Sequence, residues 1–193
     1  MKSVLISIQP KWVEKIASGE KTIEVRKTRP KIETSFKCYI YCTYGKASEN
    51  YMLGKRGKVI GEFVCDSIEM VKAKCSDYGI DLFYHDCMAQ GCLTEREIEK
   101  YFNIPEDKDL RVMKGNGYAW HISDLKIYKE PKDLSEFYST KWDMPCENKK
   151  RYFNMDFCMA YENGSHFCKE CICDKKRLIR PPQNWCYVES LGE

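Results

Sequence analysis

Residues 19–26, Gly-Glu-Lys-Thr-Ile-Glu-Val-Arg, constrain the fold of this chain more than any other segment. Gly19 is well placed to end a helix, because glycine readily adopts the left-handed conformation found there. The residues after it alternate between β-branched and polar side chains, which predicts a strand. Since successive side chains of a strand point to opposite faces, Ile23 and Val25 are expected in the core. The segment therefore predicts a helix that ends directly before a half-buried strand.

The flanking sequence predicts strands with short helices inserted between them. Residues 4–8 alternate apolar residues with serine, as in a first strand, and residues 11–18 place apolar side chains at helical spacing. Further strands are predicted over residues 36–44 and 59–71, and residues 118–128 predict one long bent strand or a strand pair split near residues 123–124. Helical structure is predicted over residues 76–102, where residues 94–97 resemble a capping box before an apolar run. This order predicts an α+β fold built on a small, partly closed β-barrel, because closing a sheet on itself removes its exposed edges.

The polar face of the strand at residues 22–27 carries the candidate ligand-binding residues. Glu24 and Arg26 are expected to be displayed on it, with Lys21 at the junction between helix and strand. Arg26 offers a planar fork and Lys21 a point charge, while Glu24 can accept from an exocyclic amine or orient its neighbours. The simpler alternative is a solvated row of ion pairs, each contributing about 0 to 1 kcal/mol. The side-chain chemistry suits RNA or a nucleotide.

The pattern Gly-x-Lys-x-x-Glu-x-Arg is complete at residues 19–26, and with the preceding strand and helix it resembles the signature of the ASCH family. The fold of that family belongs to the PUA-like superfamily. The resemblance extends to residues 118–125, which are similar to a late strand of the family, and to residues 131–137. It implies that residues 1–137 form an ASCH/PUA-like barrel domain.

The rest of the chain changes in character and implies a decoration of that domain. Residues 180–188 resemble a C-terminal segment of bacterial and prophage members, so residues 179–193 are expected to pack back on the barrel. Residues 138–178 would then be a cysteine-rich insertion.

The resemblance also implies a competing activity for the same cleft. Some small bacterial members are amidohydrolases that remove the acetyl group from the modified nucleoside 4-acetylcytidine, with a lysine, a threonine three residues later and a glutamate from another strand. Here Lys21 matches the lysine, but Glu24 replaces the threonine and favours a charged ammonium, which works against nucleophile activation. Glu62 is the candidate for the remaining acid, with an exposed strand carboxylate as the favoured alternative. A hydrolase, acting on such a nucleoside or as a ribonuclease, is the alternative to binding, and a protein-interaction module is a third.

Three aromatic residues outside the motif are further candidates for ligand contact. Tyr39 and Tyr41 share a strand face and would contribute about 1 to 3 kcal/mol per stacked base if that face is open. Covering of that face by a helix is the favoured alternative. Alternation predicts Trp120 and Ile122 in the core, which leaves His121 on the other face of the strand, where it either reaches the cleft or bonds to backbone.

The cysteines of the C-terminal part predict a structural zinc site. The predicted ligands are Cys158, Cys168, Cys171 and Cys173, with Cys146 and His166 as alternatives. The thiolates of Cys168, Cys171 and Cys173 fall within one tight turn. A metal would supply folding energy to a polar insertion with little core of its own. The alternative is a set of reduced thiols, and no organic cofactor is expected.

Charge and hydropathy limit the function classes. The 32 Lys and Arg residues exceed the 29 Asp and Glu residues by only three, so any contact with nucleic acid is expected to be local. Nowhere do about 18 apolar residues run together, and the N-terminus does not resemble a signal peptide. A cytoplasmic protein without membrane contact is expected, in which most of the 12 cysteines are free thiols.

Overall fold

The computed structural model describes residues 2–45, 54–76, 79–82, 87–102, 116–140 and 177–191. Within these ranges the strands are β1 (Lys2–Ile8), β2 (Ile23–Arg26), β3 (Phe36–Cys42), β4 (Lys58–Cys65), β5 (Ile68–Ser76), β6 (Gly79–Leu82), β7 (Asn116–His121), β8 (Ser123–Asp133) and β9 (Trp185–Glu189). The helices are α1 (Pro10–Ala17), α2 (Cys87–Gly91) and α3 (Glu95–Phe102), with one 3-10 turn at Leu134–Glu136. Mixed strands and short helices confirm the predicted α+β class.

The strands form two sheets, ordered β8-β4-β3-β1-β9 and β2-β7-β5-β6. In the first sheet β1 runs parallel to β3, with Val4 opposite Cys38, and β9 pairs antiparallel on the other side of β1, with Ile6 opposite Trp185. The C-terminal strand therefore lies beside the N-terminal one.

The two sheets join at a corner where two strand pairs bend together. β4 pairs with β8 in the first sheet, and β5 pairs with β7 in the second. The chain passes from one sheet to the other between β4 and β5, at residues 65–68, and between β7 and β8, at Ile122. His121 N–H donates to Ser67 O at 3.0 Å, and Ser123 Oγ donates to Val64 O at 2.9 Å. The described strands form two sheets that do not close into a barrel, so the predicted small, partly closed β-barrel is not found among them.

The local signals that the sequence gives around β2 are confirmed. Gly19 follows α1 with φ +80°, in the left-handed region. Ile23 and Val25 are buried and pack with Ile98 and Phe102 of α3. The alternation along the strand therefore has the predicted phase.

α3 begins with the capping box that the sequence predicts. Thr94 N–H donates to Glu97 Oε2 at 3.0 Å, and Glu97 N–H donates back to Thr94 Oγ1 at 3.3 Å. The helical prediction over residues 76–102 is wrong at its start, where β6 pairs with β5. There Gly79–Leu82 pair antiparallel with the end of the preceding strand, with Ser76 opposite Gly79.

No helix among the described residues combines the length and the apolar character needed to cross a membrane.

Candidate functional site

Lys21, Glu24 and Arg26 form one connected cluster, here called the ion triad. Glu24 Oε2 lies 3.3 Å from Lys21 Nζ, and Glu24 Oε1 lies 2.9 Å from Arg26 Nη2. The exposed side-chain fractions are 2% for Lys21, 7% for Glu24 and 11% for Arg26. The motif therefore brings its three charged residues together, with two cations on one carboxylate.

The burial of the ion triad differs from the displayed face that the sequence predicts. Glu24 pairs in register with Trp120 of β7, which belongs to the main hydrophobic cluster, so the polar face of β2 points towards the first sheet. The prediction that Glu24 and Arg26 are exposed on an open strand face is therefore wrong, and so is the alternative of a solvated row of ion pairs. Strand alternation separates two faces, but it does not say what covers each of them.

The lysine end of the ion triad is held between two helices. Lys21 Nζ donates to Gly91 O at the end of α2, at 2.7 Å, and lies 5.2 Å from the ring centroid of Trp12 on α1. Lys21 N–H donates to Lys15 O at 2.9 Å. The charge of Lys21 thus faces a carbonyl, a carboxylate and an aromatic ring rather than solvent.

The arginine end connects β2 to the first sheet through side-chain bonds. Arg26 Nη2 donates to Ser7 O of β1 at 2.6 Å, and Arg26 Nη1 donates to Asn184 Oδ1 at 2.8 Å. Arg26 Nε is buried and has no hydrogen-bond partner among the described residues. Apart from Glu24, the acceptors around this guanidinium are therefore neutral.

Asn184 links the ion triad to the loop that follows β2. Its Nδ2 donates to Thr28 Oγ1 at 3.1 Å, and Trp185 Nε1 donates to the same oxygen at 3.0 Å. Its backbone carbonyl accepts from Ser7 N–H at 2.9 Å. The segment just before β9 therefore covers Arg26 and positions the loop. Neither Asn184 nor Thr28 was predicted from the sequence as a site residue.

A cleft of about 610 Å³ begins one residue after Arg26 and is here called the basic cleft. Its lining residues are Lys27, Thr28, Arg29, Pro30, Lys31, Ile32, Glu33 and Tyr118. This cleft was not predicted from the sequence. The signal was present in the alternation of basic residues at positions 27, 29 and 31, but only the fold brings Tyr118 of β7 beside them.

Tyr39 and Tyr41 are buried, at 0% and 3% exposure, on a covered sheet face. The ring of Phe137 lies 4.9 Å from that of Tyr39 in edge-on geometry, and Leu191 N–H donates to Tyr39 Oη at 2.8 Å. Burial raises the pKa of both tyrosines. The face is covered, as the favoured alternative predicts, but the cover comes from Phe137, Val188 and Leu191 rather than from an α-helix. No stacking platform is open at these two tyrosines.

Glu62 lies with partners other than the ion triad. Tyr128 Oη donates to its Oε2 at 2.5 Å, and Lys37 Nζ lies 3.2 Å from its Oε1. Burial alone would raise the pKa of Glu62, but the hydrogen bonds from Tyr128 and Lys37 hold it below its usual value. These contacts do not place Glu62 beside Lys21.

His121 sits at the corner between the sheets rather than at the ion triad. Its Nδ1 lies 2.6 Å from Asp66 Oδ1, and both side chains are more than two-fifths exposed. The hydrogen bond from His121 lowers the pKa of Asp66. Trp120 and Ile122 on either side are buried, as their alternation predicts.

The predicted zinc ligands Cys146, Cys158, Cys168, Cys171 and Cys173, and the alternative ligand His166, lie outside the described residues. Among the residues that are described, no group of three or more His, Cys, Asp or Glu side chains is arranged to hold a metal ion. The zinc site therefore stays a prediction.

Comparison with known proteins gives matches among solved structures. No family model and no curated protein matches the chain. The chain is similar to the crystal structure of ASCH from Zymomonas mobilis, with 21% identity, 68% of this chain and 73% of that chain covered, and a TM-score of 0.47. Two single-site mutants of the same protein match with 20% identity, a TM-score of 0.45, and coverage of 69% and 68% of this chain and 77% and 74% of theirs. These solved structures carry the name of the family that residues 19–26 resemble, and no ligand or activity follows from the similarity.

Proposed function

We propose that this protein is an ASCH-type domain that binds RNA or a nucleotide-like ligand, with an anionic group of the ligand at the arginine end of the ion triad. The observation that carries the proposal is the charge of a buried cluster in which Lys21 and Arg26 share the single carboxylate of Glu24. An uncompensated charge is costly where water is excluded, and an anion that joins the cluster removes that cost.

Arg26 is the residue through which a ligand reaches the ion triad. One of its bonds goes to the neutral amide oxygen of Asn184, and its Nε is unpartnered among the described residues. Replacing the amide oxygen by a phosphate oxygen turns a neutral acceptor into a charged one, and such hydrogen bonds are about twice as strong. Asn184 is only partly buried, so its side chain is the group that the ligand displaces. Lys21 lies deeper and contributes charge rather than contact.

The test replaces Asn184 by an acidic residue that would compete with the ligand for Arg26. Asn184→Asp places a carboxylate where the anion is proposed to bind, and exposed Gln183→Glu changes the charge equally one residue away. Affinity for a fluorescent single-stranded RNA, followed by anisotropy at low salt, is expected to fall about ten-fold in Asn184→Asp and less than about two-fold in the control. An equal loss in both variants, or no saturable binding by the unaltered protein, overturns the proposal.

No described contact favours the hydrolase alternative. Lys21 donates a hydrogen bond to Gly91 O and lies beside the carboxylate of Glu24, while Glu62 is paired elsewhere. We therefore expect no product when the protein is incubated with 4-acetylcytidine or with small RNAs and the mixtures are separated by chromatography. Turnover that disappears in a folded Lys21→Ala variant would replace the binding proposal by an enzymatic one.

A further inference from the structure

We infer that the basic cleft binds the phosphates and one stacked base of a nucleic-acid strand, so that the preferred ligand is single-stranded and longer than a mononucleotide. This inference rests on the proposed function for the nature of the ligand, but it concerns different residues. The ion triad would take one anionic group, and the basic cleft would take the adjoining part of the strand.

The charge of the basic cleft is local and accessible. Lys27, Arg29 and Lys31 are exposed, and none of them forms an ion pair with a carboxylate of the described residues. Glu33 is the one carboxylate in the lining, so the cleft holds an excess of positive charge in a chain whose overall charge is only +3. Clustered cations of this kind attract the phosphate backbone and release its counterions.

Tyr118 supplies an aromatic surface inside the same cleft. It lies on β7 directly opposite Arg26, and the guanidinium carbon of Arg29 is 5.8 Å from its ring centroid. A base stacks on such a ring whatever its sequence, and the neighbouring guanidinium adds a cation–π contribution. Duplexed bases are already stacked on each other, so this arrangement favours an unpaired strand.

The loop that carries the three cations is held in place before any ligand arrives. Thr28 Oγ1 accepts from Asn184 Nδ2 and Trp185 Nε1, Lys31 N–H donates to Tyr187 Oη at 2.6 Å, and Pro30 is buried. A cleft that is ordered beforehand loses less conformational entropy on binding.

Asn184 lies between the two subsites. One end of its amide contacts Arg26 in the ion triad, and the other end contacts Thr28 in the basic cleft. A group that displaces this side chain from Arg26 therefore enters beside the loop, and its continuation runs into the basic cleft.

The experiment compares a strand with a single nucleotide. The double variant Arg29→Gln/Lys31→Gln removes two cleft cations, and Lys126→Gln/Lys129→Gln removes two exposed cations of β8 as a matched control. Affinities for a fluorescent single-stranded RNA of about 12 nucleotides and for a labelled mononucleotide are measured over a range of salt concentrations. The cleft variant is expected to bind the strand about ten-fold more weakly, to lower the salt slope by about 1.4, and to leave mononucleotide affinity unchanged. The control is expected to change strand affinity less than about two-fold.

Substitution of the aromatic residue tests the stacking separately. Tyr118→Phe is expected to retain strand affinity, whereas Tyr118→Leu is expected to lose about ten-fold, with thermal melting showing that both variants are folded. Equal affinity for a duplex of the same sequence overturns the stacking.

The outcomes separate this inference from the proposed function. Unchanged strand affinity in the cleft variant, together with a loss in Asn184→Asp, overturns the basic cleft and leaves the ion triad. A loss in the cleft variant without one in Asn184→Asp overturns the ion triad as the ligand site and leaves the cleft. Absence of binding by the unaltered protein overturns both.

Discussion

The ion triad and the basic cleft are neighbours in the chain, yet their charges lie in opposite environments. Lys21, Glu24 and Arg26 are buried and bonded to one another, to backbone carbonyls and to Asn184. Residues 27, 29 and 31 are exposed on a loop. Charge in a low-dielectric interior is strongly coupled to stability, whereas exposed charge contributes little to folding but acts at long range on ligands. The difference predicts that substitutions in the triad act mainly on stability and substitutions in the cleft mainly on binding.

The largest effect is expected from the variant that leaves the triad cations without their carboxylate. Glu24→Gln retains the shape of the side chain but leaves Lys21 and Arg26 buried without a counter-charge, and should lower the free energy of unfolding by about 3 to 5 kcal/mol. Urea denaturation measures it. Glu33→Gln, which removes the exposed carboxylate of the basic cleft, is the control and should stay within about 0.5 kcal/mol. Similar losses in both variants would remove the distinction between the two regions.

A smaller effect of opposite sign is expected from Asn184→Asp. A carboxylate beside Arg26 provides the negative charge that the ion triad lacks, so the free energy of unfolding should rise by about 1 kcal/mol. Gln183→Glu should leave it unchanged, and thermal melting of the two variants at low salt makes the comparison. A lower melting temperature in Asn184→Asp would mean that the cluster needs no further anion.

Glu62, which is partly buried, provides an intermediate case that depends on pH. Its folded pKa lies below the usual value, so its carboxylate stabilises the fold above the unfolded pKa, and this contribution is lost as pH falls through the lowered folded pKa. Tyr128→Phe removes one of the donors that lower the pKa. The variant should be less stable than the unaltered protein near neutral pH, and the difference should shrink in acid, at about pH 3. Urea midpoints at the two pH values check this, and a difference that grows in acid would contradict it.

The smallest effect on folding is expected in the basic cleft itself. Arg29→Gln/Lys31→Gln removes exposed charges without ion-pair partners among the described carboxylates, and should change the free energy of unfolding by less than about 0.5 kcal/mol. The same urea titration measures it. A fall in the free energy of unfolding of more than about 1 kcal/mol would show that these cations support the loop, and would contradict the division between a stabilising triad and a binding cleft.

The features that sequence predicted well are those governed by nearby residues. Gly19 after α1, the phase of Ile23 and Val25, and the capping box of Thr94 and Glu97 all depend on backbone geometry within a few positions. The β6 segment was mistaken for helix although its partner β5 is the preceding strand, with Ser76 opposite Gly79. The zinc ligands at residues 146–173 stay a prediction, since they fall outside the described residues.

The candidate site was predicted in composition but not in environment. The motif identified the members of the ion triad, because strand alternation places Glu24 and Arg26 on one face whatever the rest of the chain does. Whether that face is open depends on Gly91, Trp12 and Asn184, the last of them 158 positions from Arg26.

By itself, the sequence determined the local structural features of this protein, which are the strand phase, the helix ends and the charged residues that share a face. Only the tertiary structure decided that the motif lies in the interior, that the next loop forms an open cleft with Tyr118, and that Asn184 stands between them. The physical reason is that side-chain direction follows from local backbone geometry, whereas exposure to water depends on which distant segments cover a surface.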